Sequence, residues 1–75
     1  MRIVEVVKIG GKQMATCMGN DIQHGMKCSK IRIGGKTFDV LNCYAKETFT
    51  QGVMAAYLGF DIHDNIPTGE IEIIS

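Results

Sequence analysis

One stretch of this sequence, residues 30–40, limits the folds open to the chain more than any other. Apolar and polar side chains alternate on both sides of Gly34-Gly35. Alternation with a period of two around a two-residue glycine loop is the strongest short-range signal of a β-hairpin. The pattern therefore predicts two strands that turn at the glycines and direct one face toward a core. The apolar positions of that face are Ile31, Ile33, Phe38 and Val40.

The N-terminal stretch predicts a second hairpin of the same kind. Residues 2–9 are rich in β-branched side chains, which favour strands, and their apolar residues fall on both faces. Gly10-Gly11 then turns the chain, and residues 12–18 return with weaker alternation. The turn sequences Ile9-Gly10-Gly11-Lys12 and Ile33-Gly34-Gly35-Lys36 are thus identical, a likeness that turn chemistry alone explains.

The C-terminal third contains one ambiguous segment and one clear turn pattern. Around residues 53–58, Thr50 would cap a helix and Gly59 would end it, but that helix would have barely two turns, which is marginal. Because every neighbouring segment has the composition of a strand, we predict a strand here. Asn65–Gly69 has the residues of a type I turn, and residues 70–73 predict a short strand with buried isoleucines and solvated glutamates.

Six or seven short strands with turns at this spacing predict an all-β fold, a small closed β-barrel. The 75 residues form one domain, residues 1–75. A domain of this size buries only roughly 60–65% of the surface that its unfolded chain exposes. A closed barrel suits so thin a core and leaves no exposed sheet edges.

The order of turn and core residues resembles the second domain of translational GTPases such as elongation factor Tu. The matching segments cover nearly the whole chain: the Ile22-x-x-Gly25 turn, the strand ending at Ile33-Gly34, residues 52–59 and residues 64–70. This resemblance implies a closed six-stranded Greek-key barrel and supports a strand at residues 53–58. In that family the barrel helps to bind RNA and packs on the GTPase domain.

The GTPase activity of that family belongs to another domain, and we expect no enzyme here. The G-x-x-x-x-G-K-[ST] phosphate loop is absent, and neither Gly10-Gly11-Lys12 nor Gly34-Gly35-Lys36 has its spacing and following helix. Neither His24 nor His63 neighbours a serine or cysteine in a recognised nucleophile motif. The acidic residues are too scattered for a general acid–base pair. We therefore predict a protein that is not an enzyme and needs no cofactor.

The three cysteines, Cys17, Cys28 and Cys43, form an odd set without paired spacing. Small secreted folds usually carry more cysteines in even numbers, so we predict free thiols that act as small apolar fillers. A zinc site would combine His24 and Cys28 with the other cysteines, but no C-x-x-C or H-x-x-x-H spacing supports it, and we predict no metal site. With no apolar run of 18 residues and no signal-peptide pattern, we expect a cytoplasmic protein without membrane contact.

The formal net charge is zero, but the two halves of the chain differ in charge. The first 36 residues carry seven basic and two acidic side chains, whereas the rest of the chain carries one basic and six acidic ones. Either the halves form a bipolar surface that docks a partner, or cross-strand ion pairs cancel the field. We predict the second arrangement.

The side chains best suited to a binding surface are basic residues on the two hairpins together with exposed aromatic rings. Small barrels bind nucleic acid through strand faces and loops of this composition. Solvated strand faces explain the lysines equally well, and zero net charge is unusual for a dedicated nucleic-acid binder. The candidate residues are Lys8, Lys12, Lys30, Arg32, Lys36, Tyr44 and Phe49.

Three classes of function remain open from the sequence. The first is a stand-alone, non-enzymatic binding module with a translation-factor-like barrel, whose partner is a protein or RNA. The second is a structural or assembly protein that forms homo-oligomers through exposed strand edges. The third is a small thiol or metal regulator built on the cysteines. The absence of catalytic motifs and the uneven charge favour the binding module.

Overall fold

The computed structural model describes all 75 residues, and every regular element in it is a β-strand. The strands are β1 (Arg2–Ile9), β2 (Lys12–Met18), β3 (Lys30–Ile33), β4 (Lys36–Asp39), β5 (Asn42–Glu47), β6 (Met54–Phe60), β7 (Gly69–Glu70) and β8 (Glu72–Ile73). The predicted all-β class is confirmed, and so is the strand predicted over residues 53–58, which forms most of β6. No helix has the length and apolar character needed to cross a membrane.

The strands form two antiparallel sheets. Five strands lie in the order β5-β6-β2-β1-β7, and three lie in the order β4-β3-β8. The chain passes between the sheets through residues 19–29, which link β2 to β3, and again at two short bends, Val40-Leu41 between β4 and β5 and Ile71 between β7 and β8. No closed barrel is found, because the hydrogen-bonded ladders of the two sheets are separate at these bends. The strand number rises to eight partly because the bend at Ile71 divides the strand predicted over residues 70–73 into β7 and β8.

Both glycine pairs form the predicted two-residue turns. Ile33 pairs with Lys36 across Gly34-Gly35, and the first hairpin turns in the same way at Gly10-Gly11. The φ angles of the second pair are +54° and +83°, a left-handed conformation that glycine adopts without steric cost. Positive φ at both central residues defines the type I′ turn, whose twist matches that of the paired strands. The two turns therefore fix the register of both hairpins.

The core is shared by the two sheets and consists of small and branched side chains. Of the apolar positions predicted for the second hairpin, Ile31, Ile33 and Val40 are buried and Phe38 is half-buried. The Phe38 ring meets the buried Phe60 ring edge to face, with centroids 6.4 Å apart. The buried cluster consists of Ile3, Ala15, Cys17, Ile22, Cys28, Ile31, Ile33, Val40, Ala45, Ala56, Leu58 and Phe60.

The turn predicted at Asn65–Gly69 is wrong, since the chain turns earlier, between Asp61 and Asp64. The Asp64 amide donates to the Asp61 carbonyl (3.1 Å), and the His63 amide donates to the Asp61 carboxylate (2.8 Å). The buried Gln13 amide group donates to the carbonyls of both Asp61 (2.8 Å) and Asp64 (2.9 Å). The Asp61 carboxylate stabilises this turn locally, and the hydrogen bonds from Gln13 of β2 stabilise it from a distant strand. These interactions outweigh the proline–glycine pattern.

The strand predicted over residues 70–73 is divided at Ile71. β7 pairs with β1 of the five-stranded sheet, whereas β8 pairs with β3 of the other sheet. Ile71 at the bend is half-buried against the core, but Ile73 is 41% exposed instead of buried as predicted. A segment that changes sheet midway does not keep one buried face, so simple alternation fails here.

Replacing Gly34 and Gly35 together by valine should destabilise the domain, because a β-branched side chain is strained at positive φ. We expect the free energy of unfolding, measured by urea denaturation, to fall by roughly 2–4 kcal/mol, from about 1–2 kcal/mol for each left-handed residue. The matched control is Gly34→Asn, which should keep the stability because Asn-Gly suits a type I′ turn. Unchanged stability of the double-valine variant would contradict the turn assignment.

Candidate functional site

Strand β2 divides its side chains between the core and the outside of the five-stranded sheet. Gln13, Ala15 and Cys17 are buried, so Met14 and Thr16 lie on the opposite side. Residues directly opposite each other on paired strands share a face, so the pairing registers extend this side across four strands. We call it the outer face. It consists of Glu5, Val7, Ile9, Lys12, Met14, Thr16, Asn42, Tyr44, Lys46, Tyr57 and Gly59.

Two cross-strand rows form the centre of the outer face. From β1 to β5, the first row is Val7, Met14, Gly59 and Asn42, and the second is Glu5, Thr16, Tyr57 and Tyr44. A solvated sheet face normally carries polar side chains. Here, however, Met14 is 44% exposed, Tyr44 61% and Ile9 72%. An apolar and aromatic surface therefore lies on the side of the sheet that faces away from the core.

Met14 separates three adjoining clefts on the outer face. One, of about 380 Å³, lies between Met14, Tyr44 and Tyr57. A second, of about 350 Å³, lies between Ile9, Met14 and Tyr57 and has the most apolar lining. A third, of about 230 Å³, lies beside Gly59. Together they give the outer face three depressions around Met14.

Gly59 shapes one of these depressions because it has no side chain. A Cβ atom at this position would overlap the carboxamide of Asn42, the residue of β5 that pairs with Gly59. A larger residue would displace Asn42 and alter the cleft that both residues line together with Met14. The glycine at this position therefore makes room for the Asn42 side chain, whereas the glycines of the hairpins are a requirement of backbone conformation.

The outer face carries two isolated positive charges. Lys12 and Lys46 line its clefts, and no aspartate or glutamate does. Neither lysine has a carboxylate within 4.0 Å. The Lys46 ammonium lies 5.9 Å from the centroid of the Tyr57 ring, a distance typical of a cation–π contact. The clefts thus offer two cations that are not paired with a carboxylate of this chain, while Glu5, the acidic residue of the outer face, lines none of the clefts.

Two of the seven predicted site residues, Lys12 and Tyr44, come together on the outer face. Lys8 does not join them, because it pairs with the buried Gln13 and so lies on the opposite side of β1. Phe49 is fully exposed, as predicted, but it lies in the loop between β5 and β6 and not on the sheet. The predicted residues therefore do not form one patch.

The remaining three predicted residues, Lys30, Arg32 and Lys36, belong to the three-stranded sheet. Lys30 lies 3.8 Å from Asp39, and Arg32 lies 3.1 Å from Glu72. These pairs join the basic half of the chain to its acidic half across neighbouring strands, which is the arrangement predicted for the uneven charge. All four side chains are exposed, so the pairs add little stability but leave fewer free cations for a partner.

Sequence reasoning missed Val7, Ile9, Met14 and Tyr57 as members of a surface. The one available signal was the apolar composition of both faces of residues 2–9, which a strand with one solvated face does not show. Met14 and Tyr57 meet only because β2 pairs with β6, a pairing between segments far apart in the chain. No local sequence pattern predicts the pairing of β2 with β6.

The three cysteines are free and lie in or against the core. Burial, together with the neighbouring Cys28 and Cys43, raises the pKa of Cys17 to about 12. Burial also raises the pKa values of Cys28 and Cys43. Since only the thiolate is a nucleophile or a metal ligand, the raised pKa values disfavour reaction of these thiols at neutral pH. They act as the small apolar fillers that the sequence predicts.

The histidines do not assemble a catalytic or metal centre with other residues. No group of three or more histidine, cysteine, aspartate or glutamate side chains is arranged to hold a metal ion. The His63 ring nitrogen lies 3.0 Å from the Asp61 carboxylate, and both groups are exposed. Hydrogen bonds from the His63 backbone and ring lower the pKa of Asp61. This contact belongs to the turn that begins at Asp61.

Comparisons with known proteins found no match to a family model, to a curated protein or to a solved structure. The function is therefore argued from the chemistry of the chain itself. The outer face is the feature that the requirements of the fold do not explain, because its apolar side chains lie outside the buried cluster.

The native protein should react slowly with the thiol reagent DTNB at pH 8, because Cys17 and Cys28 are buried, Cys43 is half-buried, and the pKa values of all three thiols are raised. A pKa of about 12 against an ordinary 9.0 leaves Cys17 with roughly a thousandfold less thiolate than a free cysteine. We expect labelling in the order Cys43, Cys28, Cys17, identified by mass spectrometry, and rapid reaction of all three in guanidinium. Immediate labelling of Cys17 in the native protein would contradict its place in the core.

Proposed function

We propose that this protein is a non-enzymatic binding module whose outer face docks a partner protein. The observation that carries the proposal is the contiguous surface on the solvent side of a sheet that is formed by the exposed Ile9, Met14 and Tyr44 around the half-buried Tyr57. With strands about 4.8 Å apart and rows about 7 Å apart, the outer face covers on the order of 300 Å². Apolar patches of this size on small proteins are often functional.

The composition of the outer face suits a protein partner. Tyrosine and methionine are enriched at protein interfaces, and charged residues are depleted at the centre of such interfaces and found at the rim. Met14 and Tyr57 lie at the centre of the outer face, whereas Lys12 and Lys46 lie toward its ends. Buried tyrosines are frequent hot spots of binding energy. The surface therefore has both the anchors and the rim of a docking site.

An RNA partner, the other form of the binding-module hypothesis, has less support. Nucleic-acid affinity comes mainly from contacts between basic side chains and phosphates. Arg2, Lys12 and Lys46 are the basic residues on this side of the sheet, while Lys30 and Arg32 are paired with carboxylates on the other sheet. The zero net charge gives no long-range attraction for a polyanion.

The two other functions suggested by the sequence are also less well supported. Assembly through strand edges would use the edge strands of the two sheets, of which β5 has six residues, β4 has four, and β7 and β8 have two each, so each edge offers few unpaired backbone groups. A thiol or metal regulator requires accessible thiolates, whereas Cys17 and Cys28 are buried and their pKa values are raised. Docking through the outer face uses groups that are already exposed.

We also propose that the two sheets are parts of one six-stranded barrel like that of the second domain of translational GTPases. In this proposal β4 with β5, and β7 with β8, each count as one bent strand, which gives a ring of six antiparallel strands. Hydrogen bonds at the bends support it: the Leu41 amide donates to the Gly59 carbonyl (2.8 Å), and the Ile71 amide to the Met1 carbonyl (3.2 Å). The relation to translation factors and the cytoplasmic location stay predictions.

A photo-crosslinker on the outer face should capture a partner protein in the cells that make this chain. The substitution is p-benzoylphenylalanine at Tyr44, and the matched control is the same residue at Thr37, an exposed position of β4 on the other sheet. Irradiation should give a discrete, protease-sensitive adduct from Tyr44 only. Adding Met14→Asp should weaken that adduct at least about fivefold, because a carboxylate would be buried in an apolar contact.

Three results would contradict the docking function. They are the absence of an adduct at Tyr44, equal adducts at Tyr44 and Thr37, and an adduct that ribonuclease removes. Circular dichroism of the Met14→Asp variant separates loss of binding from loss of the fold, since the substitution is on the exposed side of β2.

A further inference from the structure

We infer that the outer face binds an apolar protein segment that is flanked by acidic side chains. This inference rests on the proposed function and adds the chemistry of the partner. It comes from charge complementarity: the three clefts of the outer face have an apolar centre, two lysines and no carboxylate in their lining. A partner with acids on both sides of an apolar stretch matches that distribution of charge.

Lys12 provides the cation at one end of the outer face. It pairs with Ile9 at the β1–β2 turn and lines both the cleft of about 350 Å³ and the cleft of about 230 Å³. No carboxylate of this chain lies within 4.0 Å of its ammonium group. An acid of the partner therefore gains an ion pair here without displacing one that already exists.

Lys46 provides the cation at the other end. Its position above the Tyr57 ring keeps the ammonium group over the sheet. The same lysine lines the cleft of about 380 Å³ with Met14, Tyr44 and Tyr57. An apolar side chain of the partner in this cleft would contact both tyrosine rings, and a neighbouring carboxylate would reach Lys46.

The positions of the two lysines set the spacing of the acids in the partner. Lys46 is level with Met18 of β2, which is six residues from Lys12, and β5 is two strands away from β2. These offsets correspond to about 20 Å along the strands and about 10 Å across them, or roughly 22 Å in all. An extended segment spans that distance with about seven residues, and a helix with about 15.

Single-stranded RNA is the competing occupant, because its phosphates would pair with the lysines and its bases would stack on the tyrosines. The outer face favours a protein segment for two reasons. Val7, Ile9 and Met14 make up much of its apolar area and offer no ring on which a base stacks. The Tyr57 ring already has Lys46 against it. Aliphatic and aromatic side chains of a protein use all of these groups.

The test is a selection of random 12-residue peptides, displayed on phage, against the immobilised 75-residue chain. Enriched peptides should contain leucine, isoleucine or aromatic residues flanked by aspartate or glutamate. A synthetic copy of an enriched peptide should bind the Lys12→Glu, Lys46→Glu double variant roughly tenfold more weakly, because two attractive ion pairs become repulsive. Lys36→Glu, at the tip of the other hairpin, is the matched control and should change the affinity by less than about twofold.

Enrichment of neutral or basic peptides, no enrichment at all, or equal effects of the double variant and Lys36→Glu would overturn the inference. Tighter binding of a 12-residue oligouridine than of any enriched peptide would overturn it in favour of RNA. The crosslink at Tyr44 distinguishes failure of the acidic-partner inference from failure of the docking function. A protein adduct combined with any of these results leaves the docking function standing and rejects the acidic partner, whereas no adduct rejects both.

Discussion

The two-residue turn at Gly10-Gly11 is the constraint on which the rest of the structure depends, because it fixes the register of β1 against β2. In that register Gln13, Ala15 and Cys17 face the core. A slip of one residue would turn these three side chains toward solvent and would turn Met14 and its neighbours on the outer face toward the core. The core and the outer face are thus two consequences of one turn geometry, and neither can change without the other.

This division of side chains leaves a small domain with a thin core and an apolar exterior. Only 15 of the 75 residues are buried, so the margin of stability is expected to be narrow. Exposed groups such as Met14 and Ile9 add nothing to that margin and favour association with other molecules. An arrangement that keeps them outside, next to lysines without counter-ions, is what a surface reserved for a partner requires.

Local patterns predict the hairpins because the information for a type I′ turn lies within the few residues around Gly34-Gly35. The turn at Asp61 was missed because part of its support comes from Gln13, 48 residues away. In the same way, Lys12 and Tyr44 were found because charge and aromatic character are visible in a sequence. Met14 and its neighbours were not, since apolar residues of a strand are ordinarily assigned to the core.

The orientation of β2 is the central claim, and NMR spectroscopy of methyl-labelled protein measures it most directly. We expect nuclear Overhauser effects from the Met14 methyl group to Val7 and to the Tyr57 ring, and strong broadening of the Met14 signal by a soluble gadolinium chelate. The Ala15 methyl group should stay sharp, because it is fully buried. Broadening of Ala15 with protection of Met14 would mean that the sheet turns its other face outward, and would contradict both the fold and the docking surface.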